Sequence, residues 1–376
     1  MGIRQGSVED VVNQAGREGF WGGKRVLLTG HTGFKGSWLA LALHRWGAEI
    51  HGLALAPEGE ANLFKAVERA GAFTSSTIGD IRDPNLVGAT LRESQAEIVF
   101  HLAAQPLVRL SYKDPIGTYS TNVMGTVHVL DAVRRAQGVK AVVAVTSDKC
   151  YENNEWFWGY RENEPMGGHD PYSNSKGCSE LVVSAFRNSY FRDGGLTGLG
   201  SGRAGNVIGG GDWSEDRLVP DLLRNILAGQ DTPIRNPVAV RPWQHVLEPL
   251  SGYITLAEHL FAEPSGPMAD GWNFGPDASS ERTVLDVVNG ICRAWGDGAA
   301  WRHDGGAHVH EAGYLKLDSS KARRLLKWEP VWNFDRTIQA TVSWYKAEAA
   351  GEDLAAYTEQ QISDYFAESS AQQEKN

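Results

Sequence analysis

Two pairs of proton-handling side chains lie close together in the sequence. Asp148 and Lys149 follow an apolar run at residues 142–145, and Tyr172 and Lys176 come soon after. A Tyr four positions before a Lys places both side chains on one face of a helix. The positive charge of the ammonium stabilises the phenolate and so lowers the pKa of the Tyr. This lowering is needed because the reference pKa of Tyr, about 10, is too high for a base at neutral pH. The pattern predicts a pocket in which protons move.

A glycine-rich turn near the start of the chain could bind the phosphates of a dinucleotide. Residues 25–29 form an apolar strand pattern, GHTGFKG follows at residues 30–36, and residues 37–46 have apolar side chains at helical spacing. Glycine lets the backbone approach a pyrophosphate, while the next helix offers free N–H groups and a positive dipole end. This order favours nucleotide binding over an ordinary tight turn.

Alternating apolar runs and helical patterns predict the elements that position these residues. After the first strand, strands are predicted at residues 49–55, up to 78, at 98–102, at 142–145 and, in a glycine-rich run, at 196–202, with a long helix at 115–137. Apolar strands separated by helices predict an α/β, Rossmann-like, doubly wound parallel sheet. Ligands bind such a sheet at the carboxyl ends of its strands.

The rest of the chain is predicted to form a second, smaller region. We predict an N-terminal tail at residues 1–22, a dinucleotide-binding Rossmann domain at 23–205, a mixed α/β and mainly substrate-binding region at 206–350 with segments returning to the first domain, and a peripheral C-terminal tail at 351–376. Residues 203–213, RAGNVIGGGDW, are predicted to be a flexible crossing. Helices of the second region are predicted at residues 218–227, 248–261, 284–295, 319–326 and 334–349.

Composition excludes several classes of protein. The net charge of −10 without a Lys/Arg-rich run argues against nucleic acid and anionic membranes as partners. The three cysteines have no metal-ligand spacing, which predicts no metal site and a reducing, cytoplasmic setting. Residues 1–20 lack the apolar core of a signal peptide and no run approaches about 20 apolar residues, so we expect a soluble, intracellular protein.

The choice between NAD and NADP stays open at the second strand. Its end has no carboxylate for a ribose hydroxyl until Glu58, and no Arg for a 2′-phosphate. After the third strand, Asp80 could accept a hydrogen bond from an adenine amino group. Alternatively, Asp80 caps the helix that opens near Pro84.

Several longer motifs together resemble a known family. TGHTGFKG, HLAAQPLVRLSY, TSDKCY, DPYSNSKG, RAGNVIGGGDW and RPWQHVLEPLSGY lie between about residues 26 and 276. The glycine turn and YxxxK resemble the extended short-chain dehydrogenase/reductase family of nucleotide-sugar enzymes. The full set of motifs resembles, within that family, the CDP-glucose 4,6-dehydratases.

The resemblance implies a lyase of deoxysugar biosynthesis that uses NAD and takes CDP-glucose as its substrate. The implied reaction oxidises sugar C4, removes water across C5 and C6, and returns hydride to C6, giving CDP-4-keto-6-deoxy-glucose. It also implies a homodimer or homotetramer, formed through the helices that follow Pro115 and Tyr172.

The resemblance assigns roles to individual residues. Tyr172 would be the base at the C4 hydroxyl, Lys176 would hold the nicotinamide ribose and lower the pKa of Tyr172, and Ser147 would hydrogen-bond the C4 oxygen. The implied cofactor-binding residues are Gly30, Thr32, Gly33, Phe34, Gly36, Asp80, Ile81, Leu102, Ala103, Ala104, Gln105, Thr121, Tyr172 and Lys176. The implied substrate-binding residues are Gln105, Asn206, Arg235, Arg241, Asn273 and Tyr314.

Many sugar dehydratases have Thr-Asp-Glu after the fifth strand, where this chain has Ser147-Asp148-Lys149. Lys149 could remove the C5 proton only when neutral, which requires lowering its pKa by about three units, or roughly 4 kcal/mol. Asp148 would then donate a proton to the departing C6 hydroxyl. Alternatively, the two side chains form an ordinary ion pair.

Two other functions are compatible with the same fold. A nucleotide-sugar C4 epimerase needs Tyr172 and Lys176 but not the acid and the amine, so Asp148 and Lys149 argue against it. A catalytically silent dinucleotide-binding scaffold protein is disfavoured by the intact set of Ser, Asp, Tyr and Lys.

Overall fold

A parallel sheet with helices on both faces forms the centre of the molecule. The computed structural model describes residues 14–57, 59, 62–192, 194–296, 298–306 and 314–374. In this part of the chain the strands are β1 (Arg25–Thr29), β2 (Glu49–Ala54), β3 (Ser75–Ile78), β4 (Ile98–His101), β5 (Ala141–Val145), β6 (Gly198–Ala204), β7 (Val207–Ile208), β8 (Thr232–Ile234), β9 (Val240–Pro242), β10 (Gln244–His245), β11 (Gly271–Phe274), β12 (Glu281–Thr283) and β13 (Trp301–His303).

The helices of the described residues include the long helix predicted after the fourth strand. They are α1 (Gln14–Trp21), α2 (Phe34–Arg45), α3 (Leu63–Arg69), α4 (Pro84–Ser94), α5 (Val108–Lys113), α6 (Pro115–Tyr119), α7 (Gly125–Arg135), α8 (Pro171–Phe186), α9 (Leu218–Leu227), α10 (Leu247–Ala262), α11 (Val284–Trp295), α12 (Phe334–Ala349) and α13 (Leu354–Gln373). A π-helical turn at Ser120–Met124 joins α6 to α7, two others lie at Arg187–Phe191 and Ala322–Leu326, and Asp148–Cys150 form a 3₁₀ turn.

The strand order confirms the predicted doubly wound sheet. Seven strands lie side by side in the order β11-β6-β5-β4-β1-β2-β3, and every neighbouring pair is parallel. The order reverses between β1 and β4, and ligands bind open α/β sheets at such a switch point. The pairs β10-β7, β12-β9 and β13-β8 add small sheets of mixed direction.

Both faces of the central sheet are buried, because alternate residues of a strand point to opposite sides. In β5, Val142 and Ala144 pack with Val129, Leu130 and Val183 of α7 and α8. Residues 143 and 145 face the opposite core, which contains side chains of α2, α10, α12 and α13. This two-sided burial explains why β5 has an uninterrupted apolar sequence.

The glycine-rich sixth strand forms because a helix packs closely against it. The strand lies at Gly198–Ala204, two residues later than predicted, and is buried throughout. A Cβ at Gly202 would lie 2.5 Å from the Tyr253 ring, and one at Gly198 would lie 2.9 Å from the carbonyl oxygen of Leu260. Glycine adds little to strand stability, but here it allows α10 to approach the sheet.

Residues 203–213 are not a flexible crossing, and that prediction is wrong. Arg203 and Ala204 end β6 and are buried, and β7 follows, paired with β10. Asp212 is also buried and accepts a hydrogen bond from the hydroxyl of Ser214 at 2.7 Å. The glycines of this segment permit close packing, since a Cβ at Gly210 would overlap the Trp344 ring.

Both predicted tails contain helices that pack on the core. Trp21 of α1 is fully buried, and the Arg17 guanidinium lies 4.8 Å from the ring centroid of Phe366 in α13. Ile362 and Tyr365 of α13 are also fully buried. The prediction of a peripheral C-terminal tail is therefore wrong, because α13 buries one face that carries both polar and apolar residues. Residues 1–13 lie outside the described part of the chain.

The chain returns to the central sheet after the small mixed sheets. Strand β11 pairs with β6 at the edge of the sheet, and α10 packs on β5 and β6. Residues beyond 205 therefore contribute to both regions. A domain boundary at residue 205 stays a prediction.

Candidate active site

A cleft of about 790 Å³ lies along the carboxyl edge of the sheet. It brings together the glycine turn, the residues after β4, the turn after β5 and the start of α8. All the predicted cofactor-binding and catalytic residues line it, namely Gly30, Thr32, Gly33, Phe34, Gly36, Asp80, Ile81, Leu102, Ala103, Ala104, Gln105, Thr121, Ser147, Asp148, Lys149, Tyr172 and Lys176. Their predicted grouping in space is present in the structure, whereas their individual roles stay predictions.

The glycine turn has the close packing that a dinucleotide site needs. Gly30 has φ of +79°, and its Cβ would lie 2.8 Å from the Ala103 nitrogen. A Cβ at Gly36 would lie 2.1 Å from the Gly30 oxygen, so the turn closes only with glycine. Gly33 caps α2 without a side-chain hydrogen bond, which leaves N–H groups of the first turn for an anion. The turn therefore fits a pyrophosphate.

The structure tests one of the two interpretations of Asp80, that it caps a helix or that it contacts an adenine. Asp83, not Asp80, caps α4, and it accepts a hydrogen bond from the Asn85 nitrogen at 2.9 Å. Asp80 instead accepts from Nη2 of Arg82 at 2.6 Å and lines the cleft. The capping interpretation is wrong, and an adenine contact stays a prediction. Glu58 lies outside the described residues.

Tyr172 lies one turn before Lys176 on α8. Asp170 caps this helix by accepting a hydrogen bond from the Ser173 nitrogen at 2.9 Å. Burial raises the pKa of Tyr172 to about 12, while the Ser147 hydroxyl and the Arg217 guanidinium act in the opposite direction. The expected lowering of the Tyr172 pKa by Lys176 is not seen.

The Lys176 ammonium is directed toward the end of β5. Its Nζ donates to the carbonyl oxygen of Val145 at 3.4 Å, and the side chain is buried. Burial lowers the pKa of Lys176 to about 8, whereas the Glu180 carboxylate raises it. Lys176 is therefore a fixed group beneath the cleft.

The turn after β5 holds an acid in a buried position. The Ser147 hydroxyl donates to Oδ1 of Asp148 at 3.0 Å and accepts from the Lys149 nitrogen at 3.2 Å. The other carboxylate oxygen of Asp148 is buried and has no hydrogen-bond partner within the described structure. Burial raises the pKa of Asp148 despite the nearby Lys149 cation. Such a carboxyl group is suited to holding and donating a proton.

Lys149 is half-buried and lines the same cleft. In the part of the chain that the structure describes, no ion pair within 4.0 Å joins its ammonium to Asp148. The ion-pair alternative therefore does not describe this arrangement. A role for Lys149 as the base stays a prediction.

Two cations of the cleft were missed as site residues. Lys35 lies inside the glycine turn, and burial, with Arg217 and Lys176 nearby, lowers its pKa to about 7. Arg217 follows the GGGDW motif and pairs with Asp212 at 3.2 Å. Both residues lie within or next to recognised motifs, but sequence spacing does not show which way a side chain points.

Four of the six predicted substrate-binding residues line the cleft: Gln105, Asn206, Arg235 and Arg241. Nη1 of Arg241 donates to the Val240 oxygen at 2.8 Å. An ion pair between Arg109 and Asp216, 3.0 Å long, joins two further residues of the cleft wall.

The structure does not bring Asn273 and Tyr314 into the cleft. Asn273 is fully buried in β11, where its amide donates to the Tyr160 oxygen at 2.8 Å and accepts from the Tyr151 hydroxyl at 2.7 Å. Tyr314 lies with its hydroxyl against the Phe157 oxygen at 3.4 Å. Asn273 therefore has structural partners in place of a ligand.

Neither a metal site nor a membrane-spanning helix is found within the described ranges of the chain. There, no group of three or more His, Cys, Asp or Glu side chains could hold a metal ion. None of the helices in these ranges has the length and apolar character needed to cross a membrane.

Sequence comparison relates the chain to sugar-nucleotide dehydratases. The family model described as GDP-mannose 4,6 dehydratase matches residues 27–341. The CDP-glucose 4,6-dehydratase of Salmonella typhimurium strain LT2 is 56% identical over 351 residues, which cover 92% of this chain and 97% of that protein.

Solved structures show the same fold at lower identity. A dTDP-glucose 4,6-dehydratase from Bacillus anthracis in complex with NAD has a TM-score of 0.73 at 22% identity, over 88% of this chain and 99% of that one. A UDP-glucose-4-epimerase from Stenotrophomonas maltophila with bound NAD has a TM-score of 0.75 at 20% identity, over 87% and 99% of the two chains.

Proposed function

The chain belongs to the GDP-mannose 4,6-dehydratase family, and on this basis we propose that it converts CDP-glucose to CDP-4-keto-6-deoxy-glucose with NAD. The observation that carries the proposal is the buried Asp148 beside Lys149, on the same cleft as Tyr172 and Lys176. The identity of 56% to a CDP-glucose 4,6-dehydratase supports the choice of sugar nucleotide. The reaction makes the protein a lyase.

NAD is the cofactor, as in the Bacillus anthracis dehydratase structure. When bound, it would supply the acceptor for the hydride of sugar C4 and the donor of the same hydride to C6. The glycine turn from Gly30 to Gly36 would hold the pyrophosphate, because only glycine permits its closure and α2 has free N–H groups there. Lys176 would hold the nicotinamide ribose from below the cleft.

Tyr172 removes the proton of the C4 hydroxyl during oxidation. Its pKa of about 12 must fall for this step, and the Arg217 guanidinium already acts in that direction. Ser147 would hydrogen-bond the C4 oxygen, which is supported by its position on the cleft wall and by the effect of its hydroxyl on Tyr172. Oxidation at C4 acidifies the C5 proton and so prepares the loss of water.

Asp148 and Lys149 divide the dehydration between them. Burial raises the pKa of Asp148 and so favours the protonated form, which would donate its proton to the departing C6 hydroxyl. Lys149 would accept the C5 proton as the neutral amine, and within the described structure no ion pair with Asp148 holds its side chain in place.

The diphosphate of the sugar nucleotide would bind to Arg235 and Arg241. Both residues line the cleft, as does Asn206. Guanidinium groups suit phosphate oxygens because they stay charged and can donate two parallel hydrogen bonds. Gln105 also lines the cleft and would contact the sugar.

The decisive experiment is incubation with NAD and, separately, CDP-, dTDP-, UDP- and GDP-glucose, followed by mass spectrometry. CDP-glucose should give a product lighter by one water, and faster than the other three substrates. A sugar of unchanged mass and altered configuration would identify a C4 epimerase. A bound cofactor that is never reduced in the presence of any sugar nucleotide would favour the silent scaffold.

The protein is further proposed to be a cytoplasmic homodimer or homotetramer. Large apolar side chains are exposed along α6 to α8, including Ile116 at 82% and Leu181 at 60% exposure. A second copy covering these helices would bury them. The free thiols of Cys150, Cys178 and Cys292 suit a reducing compartment. Light scattering on the purified chain measures the number of copies.

A further inference from the structure

A buried ion pair lies directly beneath the catalytic edge of the sheet. Nη2 of Arg203 in β6 donates to Oε2 of Glu180 in α8 at 2.7 Å, and the two residues are only 4% and 5% exposed. The same carboxylate accepts from the Ser201 hydroxyl at 2.8 Å and from the Thr146 hydroxyl. The carboxylate of Glu180 therefore connects β5, β6 and α8.

Stability alone does not account for such a pair. Removing two charges from water is costly, and well-packed apolar side chains of similar volume are often at least as stable as a buried ion pair. Arg203 and the hydrogen bonds to Thr146 and Ser201 overcome the cost of burial and hold the pKa of Glu180 below its usual range. The carboxylate is therefore charged at neutral pH, one helical turn from Lys176.

Glu180 is the carboxylate whose negative charge raises the pKa of Lys176. The two residues are four positions apart on α8, so their side chains lie on the same face. Burial lowers the pKa of Lys176 to about 8, and Glu180 raises it.

The other groups around Lys176 do not replace this negative charge. From β4, His101 is neutral because burial and the Lys176 charge lower its pKa to about 3. From the turn after β5, Cys150 also raises the pKa of Lys176, but less than Glu180 does, and burial raises the pKa of the thiol itself well above its usual range. From α2, Lys35 adds positive charge, and its pKa in turn is lowered by Lys176.

The pair also holds both ends of the turn that bears the acid and the amine. Thr146, bonded to Glu180, immediately precedes Ser147. At the other end, Nη1 of Arg203 donates to the Tyr151 hydroxyl at 2.6 Å, and its guanidinium lies 5.2 Å from the Tyr151 ring centroid. One ion pair therefore lies one helical turn from Lys176 and bonds to the residues on both sides of the turn of residues 147–150.

We propose that Glu180 and Arg203 are a positioning pair: Glu180 is the counter-charge that keeps Lys176 an ammonium beneath the cleft, and Arg203 fixes Glu180 and the turn of residues 147–150. The proposal deepens the proposed function and rests on it. Neither residue touches the reacting atoms. Their effect reaches the substrate through Lys176 and the turn.

The test compares the titration of Lys176 in Glu180→Gln and Glu180→Asp. Trace acetylation across a pH series, read by mass spectrometry of the peptide containing Lys176, measures its titration without substrate. In Glu180→Gln the midpoint should move to lower pH by about one to two units, since a nearby opposite charge shifts a pKa by this much. Glu180→Asp, which keeps the charge but shortens the side chain, should restore most of the shift. A merely structural role predicts the reverse order, because Gln keeps the shape.

Glu258→Gln is the matched control. Glu258 is a buried carboxylate on α10 that pairs with Arg17 at 3.2 Å, and it is not among the residues that line the cleft. Its replacement also breaks a buried ion pair but should leave the titration of Lys176 unchanged. An unchanged Lys176 midpoint in folded Glu180→Gln would overturn the proposal.

Two further measurements remove ambiguity. If Glu180→Gln does not fold because Arg203 is left without its partner, Glu180→Gln combined with Arg203→Met removes that charge and should show the same shift. A wild-type midpoint in the double variant would also overturn the proposal. With CDP-glucose, the alkaline limb of kcat/KM should move by the same amount. If the wild-type protein does not turn over CDP-glucose, the proposed function fails while the titration still tests the ion pair.

Discussion

The turn after β5 and the first turns of α8 place two lysines on one cleft in different surroundings. Lys176 is buried, donates to the Val145 oxygen and has the Glu180 carboxylate one turn away. Lys149 is half-buried and, within the described structure, has no ion pair with the neighbouring Asp148. A buried cation that is held by a carbonyl oxygen suits an anchor for a ribose, whereas a half-buried side chain on the cleft wall can reach a substrate. The same side chain can therefore serve two tasks.

The same two regions also hold two acidic groups, Asp148 and Tyr172, on which burial has opposite consequences for function. Burial raises the pKa of both Asp148 and Tyr172. For Asp148 this prepares the function, because a carboxyl group that keeps its proton can donate it. For Tyr172 it hinders the function, because a base must first lose its proton. Tyr172 therefore depends on nearby cations, and Asp148 does not.

Replacing Tyr172 by Phe should produce the largest effect of all. The ring is kept but the base is lost, so kcat should fall by about 10³-fold, within the usual range for a general base. KM should change little, because the hydroxyl is required for reaction more than for binding. Steady-state kinetics with CDP-glucose measure both values. Retention of more than about a tenth of wild-type kcat would remove Tyr172 from the mechanism.

Replacing Lys149 by Ala separates the two halves of the reaction. Water loss should slow by about 10²-fold, since a general base is removed, while oxidation at C4 continues. Single-turnover absorbance of reduced nicotinamide reports the oxidation, and mass spectrometry reports the loss of water. Reduced cofactor should accumulate in this variant.

Lys149→Arg is the control for this prediction. Arg keeps the positive charge but cannot give up its proton near neutral pH, so it should fail as Ala does. Recovery of water loss in Lys149→Arg would show that the charge, not proton transfer, is the contribution of Lys149. Full dehydration by Lys149→Ala would exclude both roles.

Replacing Asp148 by Asn should produce the smallest effect, and this effect is a gain in the stability of the folded chain. Because the pKa of Asp148 is raised in the folded chain, its contribution to stability falls as pH rises from the unfolded value of about 3.9 through the folded value. Asn removes this penalty, so at neutral pH the variant should be more stable by about 1 kcal/mol, within the range of single stabilising substitutions. Thermal unfolding at acidic and neutral pH measures the difference, which should shrink on acidification. A less stable variant at neutral pH would contradict a raised pKa of Asp148 in the folded chain.

Much of the central sheet could be predicted from the sequence, because each buried parallel strand is a continuous apolar run. The sixth strand was placed two residues early, since its glycines are explained only by the helix that packs against them. The C-terminal helix was missed as part of the core for a related reason. Its mean composition is polar, and Ile362, Tyr365 and Phe366 are buried by partners distant in sequence.

The residues of the candidate site also fall into two groups: those in local motifs, which the sequence predicts, and those whose partners are distant in sequence. The glycine turn and YxxxK are local patterns, so their residues could be named in advance and are found on one cleft. Asn273 was expected to contact the substrate, but its partners Tyr151 and Tyr160 come from a segment more than one hundred residues away. Such long-range hydrogen bonds cannot be read from spacing. For the same reason, spacing does not predict the ion pair between Glu180 and Arg203, which lie on different elements.

The most direct test of the account follows the hydrogen at sugar C4. The two regions are proposed to act in turn on one sugar in one cleft, with the hydride from C4 returning to C6. CDP-glucose carrying deuterium at C4 should therefore give a product lighter by one water with the deuterium at C6. Deuterium remaining at C4 in a sugar of unchanged composition would contradict the account and identify a C4 epimerase.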